Sequence, residues 1–537
     1  MSDESSPELT PVTGDHEWTD DDFVLPDPNT IPPEIPDDPS LDEIEGVQSA
    51  FTDAANAKYV CRAYPGTAFL FVAEWEVWIA WDERRWLLSG GKTGARSAVI
   101  NAVVRVAQLR AYRAMESRKD LQKRLAKAIP NTPDAIQLQE KIAYAEALLK
   151  WLERSQNTPA VLSCVIQLQG LLGTKLADLD TDPWLFNVRN GTIDLRTGEL
   201  KDHDLRDLIT TVSDIEYEPA AKCPVWNKFL ATAMGHSIDM VDYLQRVVGY
   251  EMTGLVREQC LFFHHGLGSN GKSTFRGTVQ SVFGEYACTA SRELVIQLPN
   301  GSKPHPAEIA RLYKKRFVGC AEIDENDSVD EGKVKDLTGA DIIACRRMSE
   351  NWWDLVPTHK LDLFGNHRPQ IRNNDHGMWR RIRLIPWLNT ISEADKDQDL
   401  PAKLKAEASG VLAWAVNGCL AWQKIGLKEP HEVTTAIASY RSDSDVLGAF
   451  LKDNVIFEKD SSEKRKDIRS AYETWCEEAG YKPLGARKLA ERLRANGVTE
   501  TNIHRDGKYF NGWEGVRLKN DIDRAGEKNV QYQDRPN

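Results

Sequence analysis

Eight residues near the middle of the chain, Gly266-Leu267-Gly268-Ser269-Asn270-Gly271-Lys272-Ser273, combine glycines, a lysine and a hydroxyl at the spacing of a phosphate-binding loop. Glycines there let backbone N–H groups curl around phosphate oxygens, at the start of a helix whose dipole also favours negative charge. Lys272 would reach the β- and γ-phosphates of a nucleotide, and the Ser273 hydroxyl would ligate magnesium. Gly266, Gly268, Ser269, Asn270, Gly271 and Thr274 complete the expected nucleotide contacts. The apolar run Cys260-Leu261-Phe262-Phe263 before the loop and a helical segment from Phe275 after it supply the strand and helix that such a loop needs. The pair His264-His265 suggests a metal, but neighbours on a strand point to opposite faces, so no shared ligand role is expected.

Hydrolysis of ATP needs a second strand that delivers acid to the magnesium and to the attacking water. Lys315-Arg316-Phe317-Val318-Gly319-Cys320-Ala321 is a basic flank and an apolar run, and it ends in Glu322-Ile323-Asp324-Glu325. Strand alternation would put Glu322 and Asp324 on one face, one in the metal shell and the other polarising water; which does which stays open. A third strand, 359–366, ends in Asn366, which suits the γ-phosphate or the attacking water, and a plain turn asparagine is the competing reading. Arginine is concentrated at Arg380, Arg381 and Arg383 in Met378-Trp379-Arg380-Arg381-Ile382-Arg383. Arg380 or Arg381 is expected to stabilise the charge of a transferring phosphoryl group, offered from a neighbouring subunit.

These candidates need a scaffold larger than one core, and 537 residues are enough for three or four domains. Residues 1–50 hold 15 Asp or Glu, eight prolines and no Lys or Arg, and read as an acidic disordered tail. The net charge of −13 arises entirely there, because the remainder has 66 acids and 68 bases. From Phe51 the chain predicts a hairpin turning at Asp82-Glu83-Arg84-Arg85, with Trp75, Trp78, Trp81 and Trp86 filling a core rather than stacking on bases. A helical stalk over 97–155 is broken by the prolines of 129–134. Two short strands are expected around turns at Asn190-Gly191 and Thr197-Gly198. The divisions are then 51–225 (pre-motor α+β), 226–440 (motor), 441–520 (short helices and a β-pair turning at Arg505-Asp506-Gly507) and a polar tail, 521–537.

No apolar run approaches the roughly 18 residues that a membrane span requires, and the first residues carry acid where an export signal carries base, so a cytoplasmic protein is expected. Nine cysteines are scattered with no CxxC pair, which fits reduced thiols better than disulfides or a zinc site.

Several segments beyond the phosphate loop carry a family resemblance over about residues 51–520. The stretches 307–325, 333–347, 364–371 and 377–387, with FTDAANAKYV, LFNVRNGTIDL and YLQRVVGYEMTG before them, resemble the C-terminal region of phage and plasmid primases and of poxvirus-type primase-helicases. These are superfamily 3 helicases. The resemblance implies an α/β fold: a P-loop, AAA+-like ATPase core with an α+β N-terminal region and a C-terminal winged-helix-like domain. It implies a ring, usually a hexamer, using ATP and Mg2+ to move 3′ to 5′ on single-stranded DNA and to open forked or origin duplex. A DNA-contacting hairpin between the acidic strand and Asn366 would present Lys335, Arg346, Arg347 and Lys360 to phosphates, with Trp352 or Trp353 near its turn. In the C-terminal part, Arg487, Lys488, Arg492 and Arg494 lie along one helix, a duplex-facing surface or a solvated face. Unlike the family's longer members, no polymerising domain is expected before residue 51, so primer synthesis would fall to a separate primase or polymerase. A translocase that does not separate strands, or a nucleotide-switched DNA-binding initiator, would use the same residues.

Overall fold

The computed structural model describes residues 51–520 and 523, apart from 65–68, 88–93, 299–301, 303, 321, 325–326, 372–375, 393–395, 482 and 506. The expected acidic tail and, save for residue 523, the polar tail lie outside the described residues.

The N-terminal region starts with α1 (Asp53–Ala63), capped by the Thr52 hydroxyl, and β1 (Phe69–Val72), β2 (Val77–Trp81) and β3 (Trp86–Leu87). Then come α2 (Gly94–Leu125), α3 (Pro133–Arg154), α4 (Thr158–Leu171) and β4 (Gly173–Thr174), which closes a sheet of order β3-β2-β1-β4. The predicted stalk is the α2/α3 pair. Its break falls at the prolines, with Thr132 capping α3 and Pro133 at its first turn. Trp75, Trp78 and Trp86 are buried, as a core role requires, and the Trp86 indole N–H donates to Leu205 O at 2.8 Å. The turn-rich stretch that follows forms three strands rather than two: β5 (Leu185–Val188), β6 (Gly191–Asp194) and β7 (Glu199–Lys201), each antiparallel to the next. The expectation of two strands overlooked that a second tight turn returns the chain for a further pairing.

The central layer follows two helices, α5 (Pro224–Ala233) and α6 (Ile238–Glu251). Its remaining elements are β8 (Leu261–His265), α7 (Lys272–Phe283), β9 (Ala287–Ala290), α8 (Pro306–Ala310), β10 (Phe317–Cys320), α9 (Glu331–Thr338), β11 (Ile343–Cys345), β12 (Trp353–Leu355), β13 (Lys360–Gly365), α10 (His376–Trp379) and β14 (Ile382–Pro386). Three helices then return: α11 (Leu400–Ala406), α12 (Ala408–Ile425) and α13 (His431–Ser444). Five strands form one wholly parallel sheet in the order β14-β8-β13-β10-β9. Both faces are covered, which is why β10 and β13 are buried along their whole length, β10 as an apolar run and β13 with Lys360 and Asp362 enclosed among its apolar residues. Alternation splits them: Phe262, Phe317 and Phe364 pack with α6, α7 and α12, whereas Leu261, Phe263, Val318 and Leu363 join the other core with Trp75, Trp86 and Trp353. The N-terminal hairpin thus belongs to the same core as the central sheet.

Against that sheet, α6 and α12 cross backbone to backbone. A Cβ on Gly249 would lie 2.0 Å from Cys419 N, and one on Gly418 would lie 1.9 Å from Gln245 O. The expected division at 226 falls inside α5, and that at 441 falls inside α13.

The last region contains α14 (Val446–Asn454), β15 (Val455–Ile456), β16 (Ser462–Lys464), α15 (Arg465–Glu478), α16 (Ala486–Ala495), β17 (Thr499–Arg505), β18 (Lys508–Glu514) and β19 (Arg517–Leu518). Its own core includes Phe450, Ile468, Tyr472, Leu489, Leu493 and Trp513. The predicted terminal pair is the β17/β18 hairpin, to which β16 adds an antiparallel third strand.

Candidate nucleotide cleft and basic surfaces

In the central sheet, the loops that follow the carboxyl ends of β8, β10, β13 and β14 open toward one cleft of about 1210 Å³, which Thr289 of β9 also lines. After β8 the chain enters the glycine loop and then α7, in which Lys272 is the first residue. Gly268 and Gly271 adopt φ of 104° and 90°, and Ser269 adopts 46°. Gly266 needs its hydrogen for another reason: a Cβ would sit 2.3 Å from both Trp387 O and the Asn270 amide. The loop is tied down where Asn270 Nδ2 donates to Trp387 O (3.2 Å) and Ile391 N to Ser269 O (2.7 Å).

The Lys272 ammonium points into this loop. Its Nζ donates to Gly266 O (2.6 Å), to Asn270 Oδ1 (3.2 Å) and to Asn366 Oδ1 (3.1 Å) at the end of β13. Asn366 Nδ2 in turn donates to Glu322 Oε1 at 3.0 Å, so three residues from three strand ends form one hydrogen-bonded chain. Burial lowers the Lys272 pKa below its ordinary value, and the Glu322 carboxylate opposes that shift. Ser273 and Thr274 line the cleft with Gly268, Ser269, Asn270 and Gly271.

Asp324 is not brought to the cleft with Glu322. The strand ends at Cys320, so the two-residue alternation that was to place both acids on one face no longer operates. The Asp324 carboxylate turns away, is largely exposed and pairs with Arg292, which also meets Asp327 at 3.2 Å. The two arginines also separate. Arg381 is buried, donating to Thr338 Oγ1 (2.9 Å) and Gln259 O (3.4 Å), which makes it a packing residue. Arg380 is exposed, and neither lines this chain's cleft.

Other cleft residues had no motif to reveal them. Val225, Lys228, Phe229 and Thr232 of α5, with Leu400, Pro401 and Lys403 of α11, form the wall opposite the sheet. Arg276 also lines the cleft; one helical turn beyond Lys272, its position was readable from the i,i+4 spacing. Behind the loop, His264 and Asp362 are fully buried. His264 Nε2 meets Asp362 Oδ1 at 3.1 Å, and its Nδ1 accepts the Trp387 indole N–H at 3.1 Å. Burial drives the His264 pKa down to about 3, so the ring is neutral, with its proton on Nε2. Among the described residues no group of three or more His, Cys, Asp or Glu could hold a metal ion.

The segment before β13 does form a hairpin, with β11 and β12 pairing antiparallel from Ile343↔Leu355 to Cys345↔Trp353. Arg346 lies at its exposed end, over the ring of Trp352 (4.9 Å), which is itself 57% exposed. Trp353, by contrast, is buried between Trp75 and Tyr313. Arg347 lies over Trp75 at 4.1 Å, and Lys335 is half-buried on α9. Lys360 is a correction. It is buried at the start of β13, with its ammonium donating to Thr253 O and Thr358 O, and presents nothing to a phosphate. On α16, Arg487 is exposed and pairs with Glu491 (2.9 Å), Arg492 pairs with Asp445, and Lys488 is exposed between them.

A cleft at the carboxyl edge of a parallel sheet defines an α/β protein built round a ligand site. Comparison with known proteins then narrows the class. The family model described as D5 N terminal like matches residues 57–235. The chain is 25% identical over 373 residues to "Putative helicase L207/L206" of Acanthamoeba polyphaga mimivirus, covering 66% of this chain and 38% of that one. It is 24% identical to "Putative helicase 022R" of Frog virus 3 (41% of this chain, 24% of that one). It is 25% identical to "Putative primase C962R" of African swine fever virus (45% and 26%). The chain is thus similar to viral proteins named as helicases and primases, with the D5-like match confined to residues 57–235. The chain spans 38% or less of the length of each of these relatives. Among solved structures, the apo C terminal region of NrS-1 is similar at 13% identity and a TM-score of 0.38, over 55% of this chain and 76% of that one. Among the described residues, no helix is long and apolar enough to cross a membrane.

Proposed function

We propose that this chain is an ATP-driven motor on DNA, a superfamily 3 helicase with an AAA+-like core that serves the replication of a virus, phage or plasmid. The observation that carries this reading is the hydrogen-bonded chain Lys272–Asn366–Glu322 across one cleft. A triphosphate would replace Gly266 O and Asn366 as the partner of the Lys272 ammonium, with its phosphates against the N-terminus of α7. Magnesium, when bound, would neutralise phosphate charge, held by Ser273 with Glu322 near its shell. Glu322, oriented by the Asn366 amide, accepts the proton of the attacking water, and Asn366 fixes that water's position. Arg380 is the exposed arginine suited to reach a neighbouring subunit's cleft in a ring, six subunits being the number the family suggests. Arg346 and Trp352 on the β11/β12 hairpin contact single-stranded DNA by phosphate pairing and stacking, and movement runs 3′ to 5′. The basic face of α16 contacts duplex DNA at a fork or origin.

The test is ATP hydrolysis with and without single-stranded DNA, alongside unwinding of a forked duplex with a free 3′ tail, for wild type and Lys272→Ala. DNA-stimulated hydrolysis with strand release, both lost in Lys272→Ala, is the expected result. Stimulation without strand release makes the protein a translocase. Hydrolysis that no nucleic acid accelerates overturns the motor and leaves a nucleotide-switched binding protein.

A further inference from the structure

Residues 94–127, which comprise α2 and the two residues that follow it, contain nine Lys or Arg and two acids, Glu116 and Asp120. The first part of the helix turns alanines and valines inward, and Arg110 is buried with them, over the Tyr59 ring (3.6 Å) and donating to Asn56 Oδ1 (2.8 Å). Past that point the charge faces outward: Arg113, Lys119, Lys123, Arg124 and Lys127 are all exposed, as are Tyr112, Glu116 and Asp120, and Lys119 meets Glu116 at 2.8 Å, which leaves the strip with a net positive charge. At 1.5 Å rise per residue the strip is about 20 Å long. Neighbouring α3 does not offset it, because Asp134, Glu140, Glu146 and Glu153 are nearly matched there by Lys141, Lys150 and Arg154.

The preceding chain arrives at one end of this strip. The Phe51 ring packs on Tyr144 (5.7 Å) and Trp151 (6.4 Å) of α3, in a cluster shared with Ala111 and Ala114 of α2. Residues 1–50, acidic and without a base, are therefore tethered beside the most basic exposed helix surface of the N-terminal region. Asp37, Asp38, Asp42, Glu43 and Glu45 are the acids nearest the anchor. An extended chain spans about 3.3–3.6 Å per residue, so these acids reach from about 20 to about 50 Å beyond Phe51, enough to follow the strip to Lys127.

We propose that residues 37–45 dock on the exposed basic strip of α2 in the same chain and shield it. Each exposed pair attracts weakly and is screened by salt. A short tether, however, holds the acids at an effective concentration of the order of millimolar, so several weak pairs suffice in cis where a free acidic peptide would fail.

Carbodiimide crosslinking of the full chain, followed by peptide mass spectrometry, tests this. The expected result is zero-length links from residues 37–45 to Lys119, Lys123 and Lys127 within single chains, falling at least about fivefold between 0.05 and 0.5 M salt. Neutralising the cluster (Asp37→Asn, Asp38→Asn, Asp42→Asn, Glu43→Gln, Glu45→Gln) should tighten binding of a labelled oligonucleotide about three- to tenfold at low salt. Absence of these links overturns the proposal, as does finding them only between isotopically distinct chains. So does a result in which Lys119→Glu with Lys123→Glu and Lys127→Glu weakens oligonucleotide binding while the neutralised cluster leaves it unchanged, because the strip is then open to nucleic acid.

Discussion

Lys272 Nζ and Asn366 Oδ1 lie 3.1 Å apart, which joins the first turn of α7, the helix that follows β8, to the end of β13, the strand paired with β8 in the sheet. Removing the two ends of this link should have different effects on binding and hydrolysis. Lys272→Ala is expected to weaken nucleotide binding and lower hydrolysis on the order of a hundredfold or more. Asn366→Ala should retain binding and lose turnover. Titration calorimetry with ATP, beside steady-state phosphate release, distinguishes the two.

Glu322 and Asp324 should behave differently although they are two residues apart. Glu322→Gln is expected to bind ATP normally and hydrolyse it about 10²–10⁴-fold more slowly, the usual contribution of a general base. Asp324→Asn releases only the pair with Arg292 and should leave turnover within a few-fold of wild type. Equal losses in the two variants would return Asp324 to the site.

Adjacent tryptophans on the hairpin offer a similar contrast. Trp352→Ala should cost about 1–3 kcal/mol in single-stranded DNA binding and leave the unfolding midpoint unchanged. Trp353→Ala, emptying a site between Trp75 and Tyr313, should cost about 3–5 kcal/mol in stability, read from urea denaturation.

The crossing of α6 and α12 tolerates nothing larger than hydrogen at Gly249 and Gly418. Either Gly→Ala change is expected to destabilise the fold by about 1–3 kcal/mol, measured by chemical denaturation.

Glu251, at the end of α6, is fully buried, and desolvation pushes its carboxyl up to about 8; the buried Asp362 carboxyl is raised too. A group that holds its proton more tightly when folded stabilises fully below its unfolded value, and that contribution is lost as pH rises through the folded one. Between about pH 5 and about pH 9, wild type should therefore lose stability relative to Glu251→Gln. His264, lowered to about 3, has the opposite sign: its contribution is present above the unfolded value and is lost as pH falls. Urea midpoints of both proteins across that range check the difference.

The parts of the site that were legible are those held in one continuous stretch. The glycine loop, its strand and its helix follow directly from residue order, and Asn366 follows from a third strand with a polar end. What failed was extrapolation past an element's end or into tertiary burial. Asp324 inherited a strand period that stops at Cys320. Lys360 and Arg381 read as surface cations, because nothing local announces that Thr253 O, Thr338 Oγ1 and Gln259 O will enclose them. The far wall of the cleft was invisible for the same reason, since α5 and α11 meet there from distant parts of the chain and carry no motif.

That wall also bears on how the protein can be inherited. Pro224, Val225, Lys228, Phe229 and Thr232 lie within the span that matches the D5-like family model, yet they line the same cleft as Lys272. Trp226 is stacked on Phe275 at 5.8 Å and edge-on to Trp414 at 5.5 Å, so the same helix fastens the core beneath the glycine loop. The N-terminal part is therefore no interchangeable module. A recombinant that joined it to a foreign partner at residue 235 would carry one lineage's floor and another's wall into a single binding cleft, so the two must change together.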